Sequence, residues 1–70
     1  MIRVTSISKR IGIKIKKVRK IKNLTQEELA YSAGLNRAYI GYIERGERNP
    51  STETLAKIAK ALKITTKDLL

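Results

Sequence analysis

The stretch TQEELAYSAGLNRAYIGYIERG, residues 25–46, decides the fold, because it predicts two short helices joined by a tight turn. It opens with a capping box, in which the Thr25 side chain accepts from the Glu28 backbone and the Glu28 carboxylate reaches back to Thr25. The helix that follows is expected to end at Gly34, since glycine readily takes the left-handed conformation found after helices.

A second helix follows after only three residues, 34–36. Asn36 is a favourable N-cap, and the helix is expected to run to Arg45 and to stop at Gly46. A glycine-containing connection of this length holds two helices at a steep angle, which is the helix-turn-helix geometry. We therefore expect a helix-turn-helix over residues 25–45.

Helical patterns also flank this unit. Residues 6–22 and 51–62 each carry apolar side chains at helical spacing, and a second capping box at Thr65 and Asp68 predicts a short last helix. The apolar stripes are Ile7, Ile11, Ile15 and Val18 before the unit, and Leu55, Ile58, Ala59 and Leu62 after it. The sequence thus predicts an all-α fold, a compact bundle of about five short helices in a single domain, 1–70. Residues 1–5 are expected to be either a flexible arm or a short extended segment.

Composition excludes most catalytic chemistry. The chain has no Cys and no His, which removes thiolate catalysis, the commonest general base and the commonest transition-metal ligands. The six acidic residues are scattered, and the sequence contains no nucleophile–base pair or phosphate-binding glycine loop. We expect no enzyme activity, no metal site and no cofactor.

The net charge of +10 is distributed unevenly. Residues 1–24 carry nine Lys or Arg and no acid, whereas residues 25–70 carry seven basic and six acidic residues. Such asymmetry is typical of a surface that faces a polyanion. No run of residues approaches the ~20 apolar residues that a membrane span needs, so we expect a cytoplasmic protein that is not bound to membranes.

The second helix of the unit presents one face outward. If Ile40 and Ile43 mark the buried side, Ala38, Gly41, Tyr42 and Arg45 fall opposite, with Arg37 at the flank. Arg37 could bind guanine through two hydrogen bonds, and Tyr42 could contact a thymine methyl group or a phosphate. The small residues would let the backbone approach a groove closely.

The motif LTQEELA at 24–30, Gly34-Leu35 and YIGYIERG at 39–46 resembles the lambda-repressor-like (Xre-type) helix-turn-helix family. The continuation ERGERNPS at 44–51 is similar to the small controller proteins of restriction–modification systems. This resemblance spans roughly residues 9–70. It implies that the helix from Asn36 to Arg45 is a recognition helix in the DNA major groove.

The resemblance also implies roles for individual residues. Base-reading positions are Arg37, Ala38 and Tyr42, although relatives often have a small polar residue in place of Ala38. Phosphate-contacting positions are Gln26, Asn36, Tyr39, Arg45, Arg48 and Asn49. Arg19 and Glu44 would form a buried structural ion pair between the first and third helices. Tyr39 fits the core as well as it fits a phosphate contact.

We therefore expect a sequence-specific regulator of transcription that binds double-stranded DNA as a homodimer on a pseudo-palindromic operator, associated with the nucleoid. Ile64, Leu69 and Leu70 form a candidate dimer interface in region 64–70, although the leucines could pack within the monomer. RNA polymerase would be a further partner for an activator, through acidic Glu27, Glu28 and Glu47. An autoregulating antitoxin, a phage-type repressor and a cationic membrane-surface module remain alternatives.

Overall fold

The computed structural model describes residues 6–70, which form four α-helices and one short 3-10 helix. The elements are α1 (Ser6–Ile21), α2 (Gln26–Ala33), α3 (Arg37–Glu44), α4 (Thr52–Ala61) and the 3-10 helix (Thr66–Leu69). No residue between 6 and 70 is in a β-strand, so the all-α prediction is confirmed. The last of the five expected helices is a four-residue 3-10 helix rather than an α-helix. The arm expected at 1–5 lies outside the described residues.

The helices begin where the capping signals predict. The Thr25 hydroxyl accepts from the Glu28 backbone at 3.0 Å, and the Glu28 carboxylate accepts from the Thr25 backbone at 2.8 Å. Thr65 and Asp68 form the same reciprocal pair, and Ser51 caps α4. These bonds pair backbone N–H groups that have no partner within the helix.

The four α-helices end in the same way. A residue with a left-handed backbone follows each one, and the next residue donates its N–H to the carbonyl five positions earlier. This is the Schellman arrangement, which pairs the last carbonyls of a helix. The left-handed residues are Asn23, Gly34, Gly46 and Lys63. Glycine takes this conformation without strain, whereas the Cβ of Lys63 is crowded by it.

The helices enclose one apolar core. α3 packs on α1 and α2, α2 also packs on α4, and the 3-10 helix closes the core against α1 and α4. The largest fully buried side chains are Ile15, Leu29, Ile40, Ile43, Ile58, Leu62 and Leu69. All four residues of the apolar stripe predicted for residues 51–62 are buried, which places that face of α4 in the core.

The stripe predicted for α1 is only partly correct. Ile11 and Ile15 are buried and Val18 is half-buried, but Ile7 is 58% exposed. Burial on α1 within the described residues begins at Ser8, and Ile7 lies one residue before it, outside the packed surface. Periodicity gives the face that a helix buries but not how much of its length is covered.

Gly12 sets the distance between α1 and α3. A Cβ added at this position would lie 2.8 Å from the Glu44 carbonyl oxygen, and it would also overlap the carbonyl of Ile43. Real Cβ atoms do not approach backbone oxygens this closely. The absence of a side chain at Gly12 therefore lets α1 cross directly over the last turn of α3.

Candidate nucleic-acid interface

The turn between α2 and α3 is fixed by backbone and side-chain hydrogen bonds. Gly34 has a φ of 69°, and the Leu35 N–H donates to the Ala30 carbonyl at 2.8 Å. The Asn36 side chain then accepts from the Ala38 N–H at 2.7 Å and starts α3. The two helices are thus joined by three residues, as the helix-turn-helix prediction requires.

The outer face of α3 carries the residues expected to read bases. Arg37 and Ala38 are exposed, and Tyr42 is 39% exposed. Ile40 and Ile43, on the opposite face, are fully buried. The structure therefore brings the three predicted base-reading residues to one open surface of one rigid helix.

Gly41 differs from the expectation that it lies open on this face. It is buried, and a Cβ added there would be 3.2 Å from Arg45 Nη1. The Arg45 side chain folds back over α3 and covers the glycine, one turn away on the helix. Gly41 thus makes room for a guanidinium group rather than for a close approach of the backbone.

The residues expected to contact phosphates have different environments. Arg45, Arg48 and Asn49 are exposed. Asn36 is also exposed, but its side-chain oxygen is used by the cap of α3. Tyr39 is half-buried and packs against the core. Tyr39 therefore has a structural role whatever it contacts at its exposed edge.

Two arginines flank Tyr42 at the C-terminal end of α3. The Arg45 Cζ lies 5.3 Å from the centre of the tyrosine ring, and the Arg48 Cζ lies 5.4 Å from it. Guanidinium groups at this range are attracted to the ring. Arg45 also pairs with Glu47, with 3.2 Å between Nε and Oε1. The cluster concentrates positive charge and hydrogen-bond donors beside the outer face of α3.

The predicted Arg19–Glu44 pair is present and buried. Arg19 Nε lies 2.6 Å from Glu44 Oε2, and Arg19 Nη2 donates to Glu44 Oε1 at 3.1 Å. Arg19 Nη1 donates to the Leu24 carbonyl at 2.7 Å. The two side chains are 8% and 2% exposed. One guanidinium group thus connects α1, the α1–α2 loop and the last turn of α3.

Gln26 joins the same network from the first turn of α2. Its Nε2 donates to Glu44 Oε1 at 3.0 Å, and the residue is half-buried. An amide nitrogen carries two N–H groups, so one remains available to a ligand at the surface. The hydrogen bond to Glu44 therefore fixes the orientation of the Gln26 side chain at the N-terminus of α2.

The basic residues of α1 are exposed apart from Arg19. Two of them reach the C-terminal segment, with Arg10 Nη2 3.5 Å from the Leu70 carbonyl and Lys14 Nζ 3.4 Å from the Asp68 carbonyl. Hydrogen bonds from Thr65, together with the nearby Lys14 charge, hold the pKa of the Asp68 carboxyl below its usual value. The exposed basic residues of α1 are Lys9, Arg10, Lys14, Lys16, Lys17, Lys20 and Lys22.

The three residues expected at a dimer interface do not share one environment. Leu69 is fully buried in the monomer core, so its assignment to a dimer interface is corrected. The 3-10 helix turns this side chain inward, where it closes the core against α4 and α1. Leu70 is 57% exposed and Ile64 is half-buried. Leu70 and the exposed edge of Ile64 are what this region offers to a second copy.

The acidic residues considered as a contact for RNA polymerase are largely engaged within the protein. The Glu28 carboxylate belongs to the capping box, and the Glu47 carboxylate pairs with Arg45. Glu27 is exposed in the first turn of α2. Of these three residues, only Glu27 thus combines exposure with a carboxylate to which no bond within residues 6–70 is assigned.

Across residues 6–70, His, Cys, Asp and Glu nowhere gather in a group of three that could hold a metal ion. Within the same residues, no helix has the length and apolar character required to traverse a bilayer.

Two features of this surface were not predicted from the sequence. The first is the close helix crossing at Gly12; its signal was a glycine inside a helix, where glycine costs about 1 kcal/mol relative to alanine. The second is the pairing of Glu47 with Arg45, because the turn expected at Gly46 does not specify which way the two side chains point.

Comparison with known proteins agrees with this geometry. The helix-turn-helix family matches residues 15–69. The Control protein C.BamHI of Bacillus amyloliquefaciens is 48% identical over 60 residues, which cover 84% of this chain and 74% of that protein.

Solved structures show the same fold. The restriction–modification controller protein C.AhdI from Aeromonas hydrophila superposes with a TM-score of 0.91 at 38% identity, covering 94% of this chain and all of that one. The controller protein C.Esp1396I, a tetramer in complex with its natural 35 base-pair operator, gives a TM-score of 0.84 at 39% identity over 87% of this chain and 80% of that one. The chain therefore belongs to the Xre-type helix-turn-helix family, because the family match, these relatives and the capped α2–turn–α3 unit all agree.

Proposed function

We propose that this protein is a transcriptional regulator that binds a specific duplex DNA site as a homodimer. The observation that carries the proposal is the outer face of α3, where Arg37, Ala38 and Tyr42 are exposed on a helix anchored by buried side chains. A recognition helix of this kind presents its N-terminal residues to base edges in the major groove. Arg37, in the first turn, is the strongest candidate for a contact with guanine.

Phosphate contacts would supply affinity and fix the register of α3 in the groove. Arg45, Arg48 and Asn49 surround the C-terminal end of α3, and Gln26 lies at the N-terminus of α2. The exposed lysines of α1 add attraction at longer range, since they raise the local positive potential. The half-buried bond from Gln26 to Glu44 supports this role, because it holds in place, before DNA arrives, an amide that would contact a phosphate.

A homodimer explains how an eight-residue recognition helix reaches useful specificity, since two copies read two half-sites. Leu70 is 57% exposed and Ile64 is half-buried, and exposed apolar side chains in this region suit a two-fold contact between C-terminal segments. Two-fold symmetry places the half-sites about one helical turn, ~34 Å, apart.

Control of a restriction–modification system is the biological role that the similar relatives favour. C.AhdI is named a restriction–modification controller protein, and C.BamHI is named a control protein. A controller of this kind would work on the nucleoid in the cytoplasm. If it activates transcription, Glu27 on α2 is the exposed carboxylate through which it would contact RNA polymerase.

The test is a selection from a random duplex DNA pool at about 150 mM salt, where purely ionic binding is weakened, followed by sequencing. We expect a two-fold-symmetric motif with half-sites about one turn apart. The molecular mass measured by sedimentation on the recovered site should equal two chains per site. Recovery of random sequence, retained only at low salt, would contradict the proposal.

A further inference from the structure

Glu47 occupies a position that is apolar at the other helix ends of the described chain. Each α-helix is followed by a left-handed residue and then by a residue whose N–H bonds back to the helix. An apolar side chain commonly fills this second position, since it packs back on the helix. The residues there are Leu24, Leu35, Glu47 and Ile64. Leu24, Leu35 and Ile64 pack against the core, so only Glu47 gives up that packing.

The structure shows what the Glu47 side chain does instead. Its N–H donates to the Tyr42 carbonyl at 2.9 Å, and Gly46 has a φ of 76°, so the backbone at Glu47 is fixed. From this position its carboxylate pairs with Arg45 Nε at 3.2 Å. The two side chains are 53% and 55% exposed, so the pair lies at the open surface.

Arg45 is held by two further contacts. Its guanidinium group lies over the Tyr42 ring, and it fills the space left by the missing side chain of Gly41. Arg48 lies beside the same ring. Glu47 is thus an acidic side chain in a cluster with Arg45 and Arg48, the two arginines that are proposed to contact DNA phosphates.

Resting on that proposed function, we infer that Glu47 sets the affinity for DNA by competing with the phosphate backbone for Arg45. In the free protein the carboxylate occupies Arg45 Nε. When the protein binds DNA, a phosphate must replace the Glu47 carboxylate as the partner of Arg45 Nε. The displaced carboxylate then lies near the negatively charged DNA backbone. Both effects are independent of base sequence, so Glu47 weakens binding to any duplex and limits the retention of the protein on unrelated DNA.

The size of the effect follows from the exposure of the pair. Exposed ion pairs and like-charge contacts are each worth a fraction of a kcal/mol, so Glu47→Gln should tighten binding about five-fold. The variant also carries one more net positive charge at the interface. The slope of log K against log salt should therefore steepen by up to about 0.9, the value for one additional neutralised phosphate.

The experiment measures the dissociation constants of full-length variants on the selected duplex and on a random duplex of equal length, across a salt series. Glu53→Gln is the matched control, because it removes an exposed carboxylate from the first turn of α4 with the same change in net charge. Arg45→Ala and the double variant Arg45→Ala/Glu47→Gln complete a cycle that isolates the coupling between the two residues.

We expect Glu47→Gln to bind both duplexes about five-fold more tightly, with less than half of that gain in the Arg45→Ala background and with Glu53→Gln near wild type. An unchanged affinity, an equal gain without Arg45, or an equal gain from Glu53→Gln would overturn the role of Glu47. A wild-type protein that binds neither duplex would instead overturn the proposed function.

Discussion

Removing one partner of the buried Arg19–Glu44 pair should strongly destabilise the fold, and replacing Arg19 by Met tests this. Methionine keeps much of the apolar length of arginine but removes three hydrogen bonds, two to Glu44 and one to the Leu24 carbonyl. The Glu44 carboxylate then stays buried with only the Gln26 amide as a partner.

The expected cost is large relative to the stability of a domain of this size. Leaving one charge of a buried pair without its partner costs about 3–5 kcal/mol. A 70-residue domain has a total stability of roughly 4–10 kcal/mol. Arg19→Met should therefore remove about a third or more of the free energy of unfolding.

The intact pair should stabilise the fold little more than two well-packed apolar side chains would, because its Coulomb attraction is largely offset by the desolvation of both charges. The double variant Arg19→Met/Glu44→Leu should therefore recover to within about 1–2 kcal/mol of wild type. Urea denaturation followed by circular dichroism gives the four free energies of unfolding. Arg45→Met is the exposed control, because its pair with Glu47 is 55% and 53% exposed and should be worth less than about 1 kcal/mol. Additive losses in the double variant, or a loss below about 1 kcal/mol for Arg19→Met, would refute the reasoning.

Three further predictions concern the scaffold. Gly12→Ala should lower the free energy of unfolding by about 2 kcal/mol, despite the better helix propensity of alanine, because the new Cβ meets the Glu44 carbonyl at 2.8 Å; equal or greater stability in urea denaturation would contradict the close crossing. Lys63→Gly should raise the free energy of unfolding by about 0.5–1 kcal/mol, because glycine adopts the left-handed φ of 60° without strain. Lys57→Gly, inside α4, should lower the free energy of unfolding by about 1 kcal/mol. A loss of stability at both positions would show that Lys63 is not strained. Because the pKa of Asp68 is lowered on folding, its stabilising effect is present above its ordinary value of 3.8 and is lost as the pH falls through the lower folded value. The difference in melting temperature between wild type and Asp68→Asn should thus be present at neutral pH and vanish in acid, and a difference independent of pH would contradict this.

The parts of the fold that depend on local hydrogen bonds could be predicted from the sequence. The capping boxes at Thr25 and Thr65 and the turn at Gly34 each involve residues only a few positions apart, so their residue types suffice to locate them. Features set by packing between distant segments could not be predicted as well. Ile7 was expected in the core and is exposed, whereas Leu69 was expected at a dimer interface and is buried. Burial at the end of a helix depends on which other element packs against it.

In the candidate site too, features set by local sequence were predicted from it and features set by contacts between distant residues were not. The positions of Arg37, Ala38 and Tyr42 on one helix face follow from helical spacing, and the structure places them on the exposed side. The half-buried bond from Gln26 to Glu44 joins residues 18 positions apart. No local pattern specifies such a bond, and the Arg19–Glu44 pair was expected only through the resemblance to the family.

If α3 reads bases, Arg37→Ala should weaken binding to one duplex and not to another. Dissociation constants would be measured at about 150 mM salt on the selected site and on a random duplex of equal length. We expect a loss of about 1–3 kcal/mol on the selected site and little change on random DNA. Equal losses on both duplexes would contradict it and would make Arg37 a contact to the phosphate backbone.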